Sequence, residues 1–238
     1  MPRFFKISAI MIPLIIQVYA AENDGVVVTR VKGDVKVRPG LEESWHPAAV
    51  GMLLKEIDTI LALEGEVELK MQSGLVFRMG SNSILDISDL RKITRKEMFL
   101  YLMSEKVSNI KSPSEKTELQ IGNVTVVHGT RKSGDSSNSD LSSNTKWLQE
   151  FNGAKALFNQ DFYPNAVVKL HKILSQYSDI QDCGEIHFYL GKAFEKMDEQ
   201  GQALDAFEEA LSQSQNCTFS NTPAWVDEAQ QAVERLAQ

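Results

Sequence analysis

The hydrophobic side chains of this chain change their spacing about halfway along it. From Val26 to about His128 they recur at every second position, which is the period of strands with one buried face. After Trp147 they recur with the period of amphipathic helices. Residues 131–146 between the two parts contain six Ser and almost no large apolar side chain, which is typical of a linker. The sequence therefore predicts a multidomain protein, with an all-β domain at 25–130, a Ser-rich linker at 131–146 and an all-α helical-repeat domain at 147–238.

The clearest predicted strand pair lies at residues 67–79, where alternating apolar residues flank a short turn with Gly74. A second turn at 80–83 is followed by Leu85 and Ile87 on the same face, which predicts an all-β meander. Further strands are predicted near 26–31 and 34–38, joined through Gly33-Asp34, and near 97–103, 106–110, 116–121 and 124–128. This many short strands predicts a sandwich, a barrel or a short β-solenoid.

The helical half contains an internal repeat with a shift of 37 residues. Phe151 maps to Phe188 and Leu170 maps to Phe207, so each copy predicts a pair of packed helices. Residues 222–237 predict a final amphipathic helix that covers the apolar end of the stack, with Thr222 as N-cap.

The N-terminus has the pattern of a secretory signal peptide. Arg3 and Lys6 precede a 12-residue apolar stretch, and Val18 and Ala20 place small residues at the −3 and −1 positions of a cleavage site. We therefore expect residues 1–20 to be removed after Ala20, and the protein to reach the bacterial periplasm or the cell exterior. The alternative is that the segment stays as an uncleaved anchor.

Cleavage would leave 23 basic and 32 acidic residues, a net charge of −9. This charge argues against a nucleic-acid partner, because phosphate binding depends on clustered Lys and Arg. The chain has no apolar run of the roughly 18 residues that a spanning helix needs, so we do not expect an integral membrane protein after signal cleavage.

The helical half resembles the tetratricopeptide repeat family. The second copy carries the resemblance at the small and large packing positions of that motif, Leu190-Gly191, Phe194, Ala203, Phe207 and Ala210. The first copy is looser, and the 37-residue period is three residues longer than the usual one. The resemblance implies stacked helix pairs whose first helices line a concave groove.

The β half resembles the FecR domain, a periplasmic module known from regulators of iron-dicitrate uptake and common in other envelope proteins. The residues that suggest it, in the family's order, are 33–37, Trp45, Pro47-Ala48, Gly51, Leu54, 58–60, 67–83 and 124–130. Ile57 stands where the family usually has Gly, and no anti-sigma segment precedes a membrane helix. The resemblance implies a periplasmic location, whereas these departures argue against transmembrane signalling by this chain alone.

We identify no catalytic residues, no metal ligands and no cofactor site in the sequence. The four histidines are scattered, and no nucleophile elbow, phosphate loop or Cys-x-x-Cys motif is present. The only cysteines, Cys183 and Cys217, flank the second helix pair. We expect them to form a disulfide in an oxidising compartment; two independent buried thiols are the alternative.

Helical spacing predicts a partner-binding groove on the first helices of the two repeats. Its polar residues are Lys155, Asn159, Lys192, Glu195 and Lys196. Lysines flanked by aromatic residues could receive an acidic peptide, although a solvated helix face explains the same pattern.

These features predict a noncatalytic exported adaptor or scaffold of the bacterial cell envelope. Its expected partners are other envelope proteins, acidic peptide segments or a cell-wall component, bridged by two domains on a flexible tether. The alternative is a periplasmic sensory or regulatory component of a nutrient or iron uptake system.

Overall fold

A computed structural model describes residues 25–109, 143–177, 180–219 and 221–238. The strands are β1 (Val26–Arg38), β2 (His46–Pro47), β3 (Leu53–Leu54), β4 (Thr59–Lys70), β5 (Val76–Met79) and β6 (Ser83–Asp86), and a 3-10 helix follows at Ile87–Leu90. The helices are α1 (Arg95–Asn109), α2 (Ser143–Asn159), α3 (Tyr163–Gln176), α4 (Glu185–Lys196), α5 (Gln200–Ser214) and α6 (Ala224–Leu236). No helix in these described ranges is long and apolar enough to cross a membrane.

The sheet is built on β1 and β4, which pair antiparallel along nearly their whole length. The predicted break of β1 into two strands at Gly33-Asp34 is therefore wrong. Gly33 lies opposite Gly65, and a Cβ added at Gly33 would stand 2.0 Å from the carbonyl oxygen of Glu64. Glycine with a φ of 78° lets the two strands approach here, so the chain continues as a distorted strand instead of turning back.

The predicted hairpin at 67–79 is confirmed, with Val67 opposite Met79 and Leu69 opposite Phe77. The predicted meander is wrong, because β6 pairs with the first part of β4 and not with β5. The turn at 80–83 carries the chain along the same edge of β4. In this turn the Ser81 hydroxyl donates to the Gly65 carbonyl and accepts from the Gly65 N–H, both at 3.0 Å. It thereby provides hydrogen-bond partners for the backbone of β4 between the part that pairs with β6 and the part that pairs with β5.

The strands predicted at 97–103 and 106–110 are also wrong, since α1 extends through Asn109. Thr94 and Glu97 form a capping box: the Glu97 N–H donates to the Thr94 hydroxyl at 3.2 Å, and the Thr94 N–H donates to the Glu97 carboxylate at 2.7 Å. This local signal outweighs the short apolar alternation that follows it. The strands predicted at 116–121 and 124–128 lie outside the described residues.

The helices from α2 to α5 form two antiparallel pairs, and α6 packs on the second pair. The 37-residue shift maps the last residue of α2 onto the last of α4, and the first of α3 onto the first of α5. Gly191 lets α4 and α5 approach closely, because a Cβ there would lie 2.7 Å from the Phe207 ring. Residues 143–146 of the expected linker belong to α2, and 131–142 lie outside the described residues.

The first helix pair lies directly against the sheet. The side-chain amide of Gln160 bonds the outer edge of β5: it accepts from the Arg78 N–H at 2.8 Å and donates to the Arg78 carbonyl at 2.7 Å. Phe162 packs edge-on against Phe77, with ring centroids 5.8 Å apart. At Gly153 the backbone of α2 comes so close to β6 that a Cβ would lie 2.2 Å from the Ile84 carbonyl oxygen.

These contacts join the apolar interiors of the two halves. A single core runs from Val28 and Leu69 in the sheet through Phe151 and Leu170 to Ala229 in α6. The expected fold class, an all-β domain plus a separate tetratricopeptide-like domain, is therefore wrong. The described chain is a mixed fold, in which helices cover one edge of an antiparallel sheet.

Candidate functional site

The predicted groove residues lie on α2 and α4. The charges of Lys155, Lys192 and Glu195 are paired within the chain. The Lys155 ammonium lies 4.3 Å from the Phe151 ring centroid and 3.6 Å from the Glu185 carboxylate. The equivalent Lys192 lies 5.1 Å from the Phe188 ring centroid and 2.8 Å from Glu228.

The other predicted groove residues differ in how they are paired. Glu195 forms an ion pair with Arg235 of α6, while Asn159 and Lys196 are exposed on the helix surface. Because Lys155 and Lys192 each have a carboxylate partner, an acidic peptide would have to displace Glu185 and Glu228 to reach them. The ion pairs therefore make this surface a less favourable binding site for an acidic peptide than the sequence predicted.

Cys183 and Cys217 are joined in a disulfide, with the sulfur atoms 2.09 Å apart. The bond connects the start of the second helix pair to the segment that follows it, across a sequence separation of 34 residues. Closing a loop of this length restricts the unfolded chain by about 3 to 4 kcal/mol in the chain-entropy model.

A different site emerges where the sheet meets the first helix pair. A polar cleft of about 730 Å³ lies between the loop after β1, the start of β4, β6, and helices α2 and α3. The side chains that define its chemistry are Arg38, Trp45, Thr59, Asp86, Glu150 and Lys172. They come from both halves of the chain, and only the packing of the helices on the sheet brings them together.

Arg38 ends β1 and is held in place from two sides. Its guanidinium lies 5.3 Å from the centroid of the Trp45 ring, within the range of a cation–π contact. Its Nη2 donates to the Thr59 hydroxyl at 3.1 Å, whereas its Nε is buried and has no acceptor among the described residues. The guanidinium is thus oriented in the cleft and keeps hydrogen-bond donors to spare.

Thr59 continues a hydrogen-bonded chain toward α3. Its hydroxyl donates to Asp86 Oδ1 at 2.9 Å, and Lys172 lies 3.3 Å from Asp86 Oδ2. Burial alone would raise the pKa of Asp86, but the nearby Lys169 and Lys172 and the Thr59 hydroxyl hold that pKa below its usual value. Asp86 is therefore ionised at neutral pH and neutralises part of the positive charge that α3 presents.

Lys169 anchors α3 to the 3-10 helix. Its ammonium is almost fully buried, at 2% exposure, and lies 2.6 Å from Asp89 Oδ2. Burial alone would lower the pKa of Lys169, but the carboxylates of Asp89 and Asp86 raise it above the ordinary lysine value. The Asn165 side chain adds bonds of 2.7 Å to the carbonyls of Asp89 and Arg91.

Glu150 of α2 supplies a carboxylate on the helical side of the cleft. It keeps only 9% of its surface exposed, and its Oε1 accepts from the Tyr177 hydroxyl at 3.1 Å. Burial and the Glu150 charge raise the pKa of Tyr177, so this hydroxyl stays protonated and remains the donor. The second oxygen, Oε2, is buried and has no hydrogen-bond donor among the described residues.

The cleft therefore contains charges of both signs, only some of which are paired. The described residues give Lys169 and Lys172 carboxylate partners, but they give none to Arg38. An oriented guanidinium with spare donors can bind a carboxylate or a phosphate. Sequence reasoning missed this site because it assigned Arg38 and Lys172 to separate domains, and no local motif links them.

A second cleft, of about 770 Å³, lies beside Gln160 and Phe162 and is lined largely by apolar side chains of β1, the 3-10 helix and the loop before β5. No group of three or more metal-ligating side chains occurs within the described ranges. The chain matches no protein-family model, no curated protein and no solved structure.

Proposed function

We propose that this chain is a noncatalytic exported binding protein of the bacterial cell envelope, and that its polar cleft holds a carboxylate group of a partner. The partner is another envelope protein or a cell-wall component. The observation that carries the proposal is the Arg38 guanidinium, which faces the cleft beside Trp45 without a carboxylate partner in the described part of the chain.

Two physical arguments favour a carboxylate at this position. Arginine presents its donors in a planar fork that matches a carboxylate, and contact with an aromatic ring fixes the fork before binding. In addition, the chain carries a net negative charge, so an anionic group would be repelled from most of its surface and would need a local cation.

The export part of the proposal is supported by the signal-peptide pattern of residues 1–20 and by the resemblance of the β half to the FecR domain. The packing changes how an adaptor of this kind would work. Since the helices are bound to the sheet through Gln160 and Lys169, the cleft and the outer helix faces are held at a fixed geometry. The protein would therefore present its surfaces as one rigid unit, and not as two domains on a tether.

The proposal is tested by in-cell cross-linking and purification of wild type and of Arg38→Gln, with the captured proteins identified and then purified. Arg30→Gln is the matched control, because Arg30 lies on the same strand and is exposed outside the cleft. We expect a partner that Arg38→Gln loses and Arg30→Gln retains, and that is displaced by a carboxylate-bearing segment of its own sequence. Equal capture of the same proteins by all three would overturn the proposal.

A further inference from the structure

The buried carboxylate of Glu150 needs an explanation that the folded chain does not supply. One of its oxygens accepts from Tyr177, but Oε2 has no donor among the described residues, although the side chain is about nine-tenths buried. Leaving a buried charged acceptor without a partner destabilises the folded protein. Glu150 lines the same cleft as Arg38.

Lys169 interacts with the charge of Glu150 but donates no hydrogen bond to its Oε2 atom. Lys169 is close enough to Glu150 for its pKa to be affected, but its ammonium is engaged by Asp89 at 2.6 Å. The Glu150 carboxylate therefore has acceptor capacity left for a donor that arrives with the ligand, such as an ammonium or an amide N–H.

The charge balance of the wall points to the same ligand. Four cationic and four anionic side chains line the cleft, so its wall offers partners for both signs of charge and has no net charge. A ligand that carries one charge of each sign would satisfy Arg38 and Glu150 together. The volume, about 730 Å³, lies within the range of roughly 300 to 1,000 Å³ found for small-molecule sites.

We infer that the cleft binds a zwitterionic short peptide or amino acid, with its carboxylate at Arg38 and its amine at Glu150. This inference rests on the proposed function, because it takes the carboxylate site at Arg38 as given and adds the amine site. It narrows the ligand to the class of free amino acids, short peptides and peptide fragments that keep an unblocked amine.

The test compares three randomised tripeptide mixtures against the purified mature protein: free at both ends, N-acetylated, and C-amidated. Binding is measured by titration, and the indole N–H signal of Trp45 reports whether the cleft is occupied. We expect the free mixture to bind, and either modification to weaken binding by about tenfold or more. Because the peptides are modified and the protein is not, this comparison does not depend on the folding of any variant.

Two variants assign the sites. Glu150→Gln should bind the free and the N-acetylated mixtures equally, and Arg38→Gln should bind the free and the C-amidated mixtures equally. Glu66→Gln, at an exposed glutamate of β4, should behave as wild type.

Two failures can be told apart. If the free and N-acetylated mixtures bind wild type equally well while amidation weakens binding, the amine site is wrong and the carboxylate site stands. If amidation has no effect, or if no mixture binds, the inference is overturned. The partner capture by Arg38→Gln described above then decides the proposed function independently.

Discussion

At the scale of single residues, the fold depends on a few polar side chains that cross from the helices to the sheet. Lys169 is the clearest example, since its buried ammonium is compensated by the carboxylate of Asp89, 80 residues earlier in the chain. Gln160 acts in a similar way with its amide, which pairs with the backbone of Arg78 as a neighbouring strand would. Such polar contacts favour one relative position of the helices and the sheet, in addition to the apolar packing between them.

We expect Lys169→Met to lower the free energy of unfolding by about 3 kcal/mol, because it leaves the Asp89 carboxylate unpaired in a largely buried place. Lys172→Met is the matched control: that side chain is 36% exposed, and its loss should cost about 1 kcal/mol or less. Denaturant unfolding measures both. Equal losses for the two variants would show that the Lys169 pair does not hold the junction.

A dependence on acid pH should follow from Asp86. Its pKa is lowered in the folded protein, so the stability that it contributes is present above its unfolded pKa and is lost as the pH falls below about 4. In Asp86→Asn this contribution is absent, so the free energy of unfolding should fall less between pH 7 and pH 3 than in wild type. An unchanged difference between the two pH values would contradict the assignment.

At the scale of elements, the close approach of α2 to the sheet depends on the absence of a side chain. Gly153→Ala should destabilise the protein by about 2 kcal/mol or more, because the new methyl group would overlap the backbone of Ile84 and force α2 away from β6. In Gly201→Ala the methyl group meets nothing within 4 Å, so we expect no loss there, and a gain of up to about 1 kcal/mol from helix propensity. Thermal and denaturant unfolding compare the two, and an equal effect would contradict the close packing.

The elements also show where sequence reasoning succeeds. The hairpin at 67–79 could be predicted, because alternation and a turn glycine act locally and agree. At 95–109 the two local signals disagreed: the alternation of Phe99, Tyr101 and Met103 suggested a strand, while Thr94 and Glu97 capped a helix. The capping box fixes the first turn, so it was the better guide.

At the scale of the whole molecule, the change of hydrophobic period located the helices from α2 onward but missed α1, and it wrongly suggested two independent units. The spacing of hydrophobic residues shows which face of a helix or strand is buried, but it does not show which other element packs against that face. The apolar face of α2 therefore looked the same whether it packed on another helix or on β6. The candidate cleft could not be predicted for the same reason, since Arg38 and Glu150 meet only because the two halves share a core.

The central claim is that the sheet and the helices fold as one unit, and two tryptophans can test it directly. Trp45 lies beside the end of β1 and Trp225 lies in α6, so single-tryptophan variants with Phe at the other two positions report separately on the sheet and on the last helix. We predict that denaturant unfolding of the two variants, followed by fluorescence and by circular dichroism, gives one transition with the same midpoint and slope. Two separate transitions, with the helices lost while the Trp45 signal stays native, would contradict the shared core.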